Sequence, residues 1–154
     1  HMSYLKDLYR DNKLVVPDAL SADGTPIDLT RIETPAYIQA GREDHIAPAA
    51  SVWHLMHHLR GPRTFLLAGS GHIAGVVNPP AAKKYQYWTN EKPVESFSDF
   101  VAGASETPGS WWPHWIDWIH TQDSATVPAK GKRAPGGKGD KIIEDAPGSY
   151  VKGR

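Results

Sequence analysis

Two side chains in this sequence have the types and the surroundings needed for general base catalysis. His72 lies in Gly-Ser-Gly-His-Ile-Ala-Gly-Val-Val-Asn-Pro-Pro, residues 69–80, and Asp44 in Gly-Arg-Glu-Asp-His-Ile-Ala-Pro, residues 41–48. An imidazole that takes a proton from a nucleophile, oriented by a carboxylate, is two thirds of a catalytic triad. Each residue alone says little. A loop aspartate is usually a turn residue or a cap, and glycines beside a histidine turn a chain as readily as they present a side chain. As a pair, 28 residues apart, they require a third member. The sequence has no cysteine. Ser70 is the rival nucleophile, but its surroundings are not a Gly-x-Ser-x-Gly elbow, and a base so close in sequence points along the chain rather than at the hydroxyl. The nucleophile is therefore expected upstream, and the chain is expected to be the C-terminal part of an enzyme.

Neighbouring residues complete the candidate site. His45 follows Asp44 directly; in a strand-end loop it is expected to point away from Asp44 and to line the site. Ile73, next to His72, is a second candidate for substrate binding. His54, His57 and His58 have the i, i+3, i+4 spacing of a metal-binding face. They lack a His-Glu-x-x-His pattern and any cysteine, so they read as a solvated helix face, and no metal site is expected.

These residues need strands to carry them. Ala36-Tyr37-Ile38-Gln39-Ala40 is an apolar run opened by Pro35 and closed by Gly41, which predicts a short buried strand ending in the Asp44 loop. Pro48 suits a first helical turn. Val52, Leu55, Met56 and Leu59 then repeat with helical spacing, so one helix over residues 48–59 should turn these four inward and expose His54 and His58. Gly61-Pro62 stops it. Thr64 to Ala68 is a second strand-like run, turned by Gly69-Ser70-Gly71 into the His72 loop. Strand, acid loop, helix, strand, histidine loop is a βαβ unit, with both residues just past strand C-termini, where open parallel sheets build their sites. The fold class is α/β.

The flanking sequence is less regular. His1-Met2 reads as an expression-tag scar. Leu5, Leu8 and Tyr9 have helical spacing. Asp23-Gly24 predicts a small hairpin, and residues 28–32 one helical turn. Residues 95–104 and 113–121 read as short helices, the second carrying Trp115 and Trp118 just after Trp111 and Trp112. Four indoles within eight residues exceed what one short helix can bury, so they should cover another surface, either the rest of the enzyme or a partner. Domain boundaries are therefore set at 1–2 for the scar, 3–121 for a catalytic-domain fragment and 122–154 for a low-complexity, largely irregular tail rich in Pro, Gly and Lys.

Bulk properties fit this picture. Thirteen prolines and fourteen glycines accompany a mean hydropathy of −0.48, a loop-rich balance. Lys plus Arg equals Asp plus Glu, at 17 each, which gives no argument for nucleic acid or an anionic surface. No apolar run reaches the length of a transmembrane helix.

The motifs resemble a known family at two levels. Leu29, Ile32, Pro35, Gly41, Asp44 and Pro48 are spaced like the acid-loop region of α/β-hydrolase folds. More specifically, the Asp44 and His72 motifs, followed by Tyr-Trp-Thr-Asn (87–90), Gly-Ser-Trp-Trp-Pro-His-Trp (109–115) and Ala-Pro-Gly-Ser-Tyr-Val-Lys (146–152), are similar to the C-terminal third of class I polyhydroxyalkanoate synthases, the poly(3-hydroxybutyrate) polymerases. The resemblance implies the C-terminal portion of an α/β-hydrolase fold, in an acyltransferase that polymerises (R)-3-hydroxyacyl-CoA with release of CoA. An upstream cysteine would be the nucleophile and His72 its base. Asp44 would orient His72 or help deprotonate the monomer 3-hydroxyl. It also implies no cofactor, since 3-hydroxyacyl-CoA is a substrate. The implied partners are the growing polyester, a cytoplasmic polymer granule surface, the N-terminal part of the enzyme and a second copy in a homodimer. The chain alone would be inactive. A fragment of a serine-type α/β-hydrolase (esterase, lipase or polyester depolymerase) is the alternative, and a Trp-rich binding module with a coincidental Asp and His is a third reading.

Overall fold

The structure, a computed structural model, describes residues 1–128, 141 and 143–153. Its centre is the expected crossover unit. Strand β3 (Ala36–Gly41) runs parallel to β4 (Arg63–Ala68), paired from Ala36 opposite Arg63 to Gly41 opposite Ala68. Upstream lies the expected hairpin of β1 (Leu20–Ala22) and β2 (Thr25–Ile27). Asp23 and Gly24 both have positive φ at its turn (49° and 76°), as a two-residue hairpin requires. A 3₁₀ turn, Leu29–Arg31, follows, with the Asp28 side chain accepting from Thr30 N at 2.8 Å.

The connection between β3 and β4 departs from the single expected helix. It is α1 (Ala49–Trp53) and α2 (Leu55–His58), interrupted at His54. There the backbone bonds tighten to i→i−3, His54 N to Ser51 O and His57 N to His54 O, which shifts the phase of the following turn. As a result Trp53 is buried, at 4% exposure, while Leu55 is turned outward at 37%. Leu59 is buried and Val52 and Met56 are partly buried, as expected, but His58 is partly buried rather than exposed.

Two further strands extend the sheet beyond β4 and were not expected from the sequence. Strand β5 (Gln86–Thr89) pairs antiparallel with β4, and β6 (Ser105–Pro108) antiparallel with β5. The order is β3-β4-β5-β6. Between β5 and β6 lies α3 (Phe97–Gly103), within the predicted 95–104 helix. Its first turn is capped by Ser96, whose Oγ accepts from Asp99 N. Helix α4 (Trp112–Gln122) matches the second predicted helix.

Alternation along the strands divides two cores between the faces. On one face Ile38, Ala40, Phe65, Leu67 and Trp88 pack with Ala49, Trp53 and Phe100 from the helices and with Leu59 just after α2. Trp53 meets Phe65 edge-on at 4.9 Å between ring centroids. On the other face Leu66, Ala68 and Tyr87 pack with Trp111, flanked by Tyr37 and Trp112. The expectation that the tryptophans cover a surface outside this chain is thus corrected for Trp111 and Trp112, which cover its own sheet; Trp115 stays 39% exposed. Gly61 permits a close crossing before β4: a Cβ there would collide with the Glu33 carbonyl oxygen.

Two compact units, His1–Trp118 and Ile119–Arg154, divide the chain within α4. At the start of the first, Tyr4–Arg10 is a π-helical segment with no buried residue. In the second, the described residues hold the end of α4 and a 3₁₀ turn at Ser149–Lys152. Of the expected irregular tail, 122–154, residues 129–140, 142 and 154 lie outside the described residues. Among the described residues no helix is long and apolar enough to cross a membrane.

Candidate active site

The pairing of β3 with β4 continues past the strand ends and ties the two loops together. Arg42 N donates to Ala68 O at 2.8 Å, and Glu43 N to Ser70 O at 3.1 Å. Gly41 allows this approach, since a Cβ there would lie 3.1 Å from Ser70 O. On its far side the histidine loop is held to β5 by Gly69 N to Gln86 O, at 2.7 Å. Ser70 takes φ +78°, a conformation uncommon outside glycine.

These ties bring Asp44 and His72 together. His72 Nδ1 lies 2.8 Å from Asp44 Oδ2. The other carboxylate oxygen, Oδ1, accepts from Ile46 N and Ala47 N, each at 2.9 Å. One oxygen therefore closes its own loop while the other holds the imidazole. The carboxylate is 8% exposed and the imidazole 49%. With Nδ1 engaged, Nε2 is the nitrogen left to exchange a proton with a reacting group. The bond from Ala47 N holds the Asp44 carboxyl below the usual aspartate value, with smaller help from His72 and Ile46, against the opposing effect of desolvation.

The other expected site residues are less engaged. His45 is exposed, and Ile73 is 76% exposed. Ile46, not singled out from the sequence, is also 66% exposed beside the pair. A cavity of about 510 Å³ reaches Asp44, walled by Arg42, Ala49, Leu67, Trp88 and Phe97. The Arg42 guanidinium lies over the Trp88 ring, 4.6 Å from its centroid. A larger depression of about 660 Å³ is lined by Arg63 and Thr89, at the other end of β4, and does not include the pair. His54 and His57 are exposed, and no group of three potential metal ligands converges among the described residues.

Sequence reasoning missed what secures the histidine loop. Trp111 Nε1 donates to Gly75 O and Trp112 Nε1 to Val76 O, both at 2.9 Å; Ser110 Oγ donates to Asn78 O at 2.5 Å. The one available signal was the compact Gly-Ser-Trp-Trp string itself, which carries three side-chain donors in succession.

No protein-family model matches the chain. Similarity to individual proteins is extensive. The chain is 48% identical over 151 residues to poly(3-hydroxyalkanoate) polymerase subunit PhaC of Rhizobium etli, covering 98% of the chain and 23% of that protein. It is 43% identical over 154 residues to the protein of the same name from Cupriavidus necator, covering 98% of the chain and 25% of the relative. It is 37% identical over 148 residues to poly(3-hydroxyalkanoate) polymerase 2 of Ectopseudomonas oleovorans, covering 96% and 26%. The chain thus spans about a quarter of the length of the curated relatives it matches. Over nearly its whole length the chain is homologous to a C-terminal part of the poly(3-hydroxyalkanoate) polymerases.

Proposed function

We propose that this chain supplies the base and the orienting carboxylate of a polyhydroxyalkanoate synthase with an α/β-hydrolase fold. The observation that carries the reading is the 2.8 Å contact between His72 Nδ1 and Asp44 Oδ2 at adjacent strand ends. The relatives' names favour this reading over a serine-type hydrolase.

In the complete enzyme, His72 Nε2 takes the proton of an upstream cysteine thiol. The thiolate attacks the thioester carbonyl of (R)-3-hydroxyacyl-CoA. The carbon–sulfur bond to CoA breaks, and the departing thiolate takes the proton back from the imidazolium as free CoA. The acyl group is left on the cysteine. The same imidazole then accepts the proton of a 3-hydroxyl as that oxygen attacks an acyl thioester; the ester bond forms, the thioester carbon–sulfur bond breaks, and the released thiolate recovers the proton from the imidazolium. Asp44 holds the proton on Nδ1 and stabilises the imidazolium in both half-reactions. Thioester exchange suits a cysteine, which needs only modest activation. His45 and Ile73 border the substrate. The chemistry needs no cofactor. The resemblance further supports a cytoplasmic homodimer acting at the surface of its polymer granule.

The test is His72→Ala in the intact polymerase. Turnover measured as CoA release from 3-hydroxybutyryl-CoA should fall by several orders of magnitude, because triad members act as a unit. Near-normal turnover overturns the assignment.

A further inference from the structure

Three consecutive residues, Ser110, Trp111 and Trp112, hold three carbonyl groups of the segment that follows His72. The bonds run to Asn78 O, Gly75 O and Val76 O. Only the middle donor is part of a deep core. Trp111 is 9% exposed and packs with Leu66, Ala68 and Tyr87, and it stacks on Tyr37 with ring centroids 6.2 Å apart. Trp112 lies at the core's margin, and its bond to Val76 O is exposed.

The segment these donors grip has little other support. Ile73, Val76 and Val77 are 76%, 43% and 60% exposed. Its internal bonds are turns, Gly75 N to Gly71 O and Val77 N to Ile73 O. Gly75 sits where the carbonyls of residues 69–71 converge, and a Cβ there would lie 2.6 Å from Gly71 O. At the far end, the Asn78 amide donates to Lys84 O at 3.1 Å, and Asn78 is 4% exposed. His72 thus sits between a loop tied to β3 and β5 and a turn tied to the Trp pair.

We infer that Ser110, Trp111 and Trp112 form a clasp that positions His72 for proton transfer, so that Trp111 and Trp112 are positioning residues of the reaction. The clasp touches neither substrate nor the reacting atoms. It acts by fixing the backbone from which the imidazole projects, so that Nε2 is presented in one place while Nδ1 stays on Asp44. Neutral indole donors suit this role, because they satisfy carbonyl oxygens without placing a charge near the base. The inference rests on His72 being the base proposed above.

Trp112→Phe is the informative variant, since it keeps an aromatic ring and removes the donor from an exposed bond. In the intact polymerase, kcat should fall roughly ten- to a hundredfold with KM little changed, the scale of small misplacements in a catalytic constellation. Trp111→Phe should act in the same direction, and the double variant should not exceed the product of the two. Nitrogen NMR of the His72 ring distinguishes positioning from general weakening. The parent should show its proton on Nδ1, and Trp112→Phe should show a mixture of the two tautomers while the melting temperature moves by only a few degrees. A Trp112→Phe enzyme with parental kcat and an unchanged His72 spectrum overturns the clasp. A fall in kcat that simply follows lost stability, with the ring spectrum unchanged, also overturns it. If His72→Ala keeps full turnover, the base assignment itself has failed, which is a different result.

Discussion

The two oxygens of Asp44 have separate partners, and that division predicts separable effects. Oδ1 bonds Ile46 N and Ala47 N; Oδ2 bonds His72. An asparagine side chain keeps one acceptor oxygen, so loop closure can persist while the negative charge facing Nδ1 is lost. Asp44→Asn in the intact polymerase should lower steady-state CoA release by roughly 10³- to 10⁴-fold. Acyl-enzyme formation, measured separately in the first turnover, tells which step needs the carboxylate. If initial acylation is spared, Asp44 serves mainly the incoming hydroxyl. If both steps fall together, it serves His72 throughout. The same residue predicts a pH effect. Its carboxyl is held below its ordinary value of 3.8 by the Ala47 N–H first and by His72 and Ile46 after it. The ionised form therefore stabilises the fold above the ordinary aspartate range, and that contribution disappears as pH falls through the lowered value. Asp7, Asp11 and Asp28 are lowered as well, so the total acid sensitivity is shared. The difference between parent and Asp44→Asn isolates one part. In urea titrations at about pH 5 and about pH 3, the midpoint of the parent should fall further than the midpoint of the Asp44→Asn variant; equal falls would mean that the Asp44 bonds add nothing to folding.

At the scale of elements, the broken crossover helix decides which residue anchors the sheet. Trp53 meets Phe65, Phe97 and Phe100, whereas Leu55 faces out. Trp53→Ala should cost about 3–5 kcal/mol, and Leu55→Ala less than about 1 kcal/mol, both read from denaturant midpoints. The reverse order would mean an unbroken helix with the other phase. Gly61→Ala should cost about 1–3 kcal/mol or more by overpacking, because the new methyl meets backbone at residues 33 and 34 rather than a side chain that can move. How legible each element was in the sequence follows from its punctuation. The first βαβ unit was readable because Pro35, Gly41, Gly61 and Gly69 bracket two apolar runs. The break at His54 was not, because Val52, Leu55, Met56 and Leu59 satisfy a continuous helical period whether or not the helix tightens midway. Strands β5 and β6 are four residues each. Tyr87-Trp88-Thr89 is too short a run to separate from a loop, and Ser105 to Pro108 is mostly polar or Pro. Asp44 and His72 could be found from residue type and strand ends. The clasp could not, because it depends on where two indole N–H groups point.

At the scale of the molecule, both faces of the small sheet are covered, and the sequence holds no cysteine to act as the nucleophile of the proposed pair. The chain by itself should release no CoA from 3-hydroxybutyryl-CoA above background, since a base without a nucleophile has no covalent route. A thiol-titrated CoA assay at high protein concentration checks this, and sustained turnover would displace the triad reading altogether. The strand order also says where the rest of such a sheet could add. Among the described residues β3 is paired on one side only, and its buried Ile38 and Ala40 are those of an interior strand rather than of a solvated edge.

Asp44 and His72, the proposed acid and base, both come from one crossover, 28 residues apart, on strands paired along six consecutive residues. No other segment needs to thread between them. The acid–base half is therefore a portable cassette whose internal geometry is set by its own loops together with β5 and the donors of residues 110–112, all of which lie downstream of β3. A polymerase nicked ahead of β3 would still carry a correctly assembled Asp44–His72 pair, and the nucleophile half would need only to dock against the open side of β3 for the two pieces to work as one enzyme.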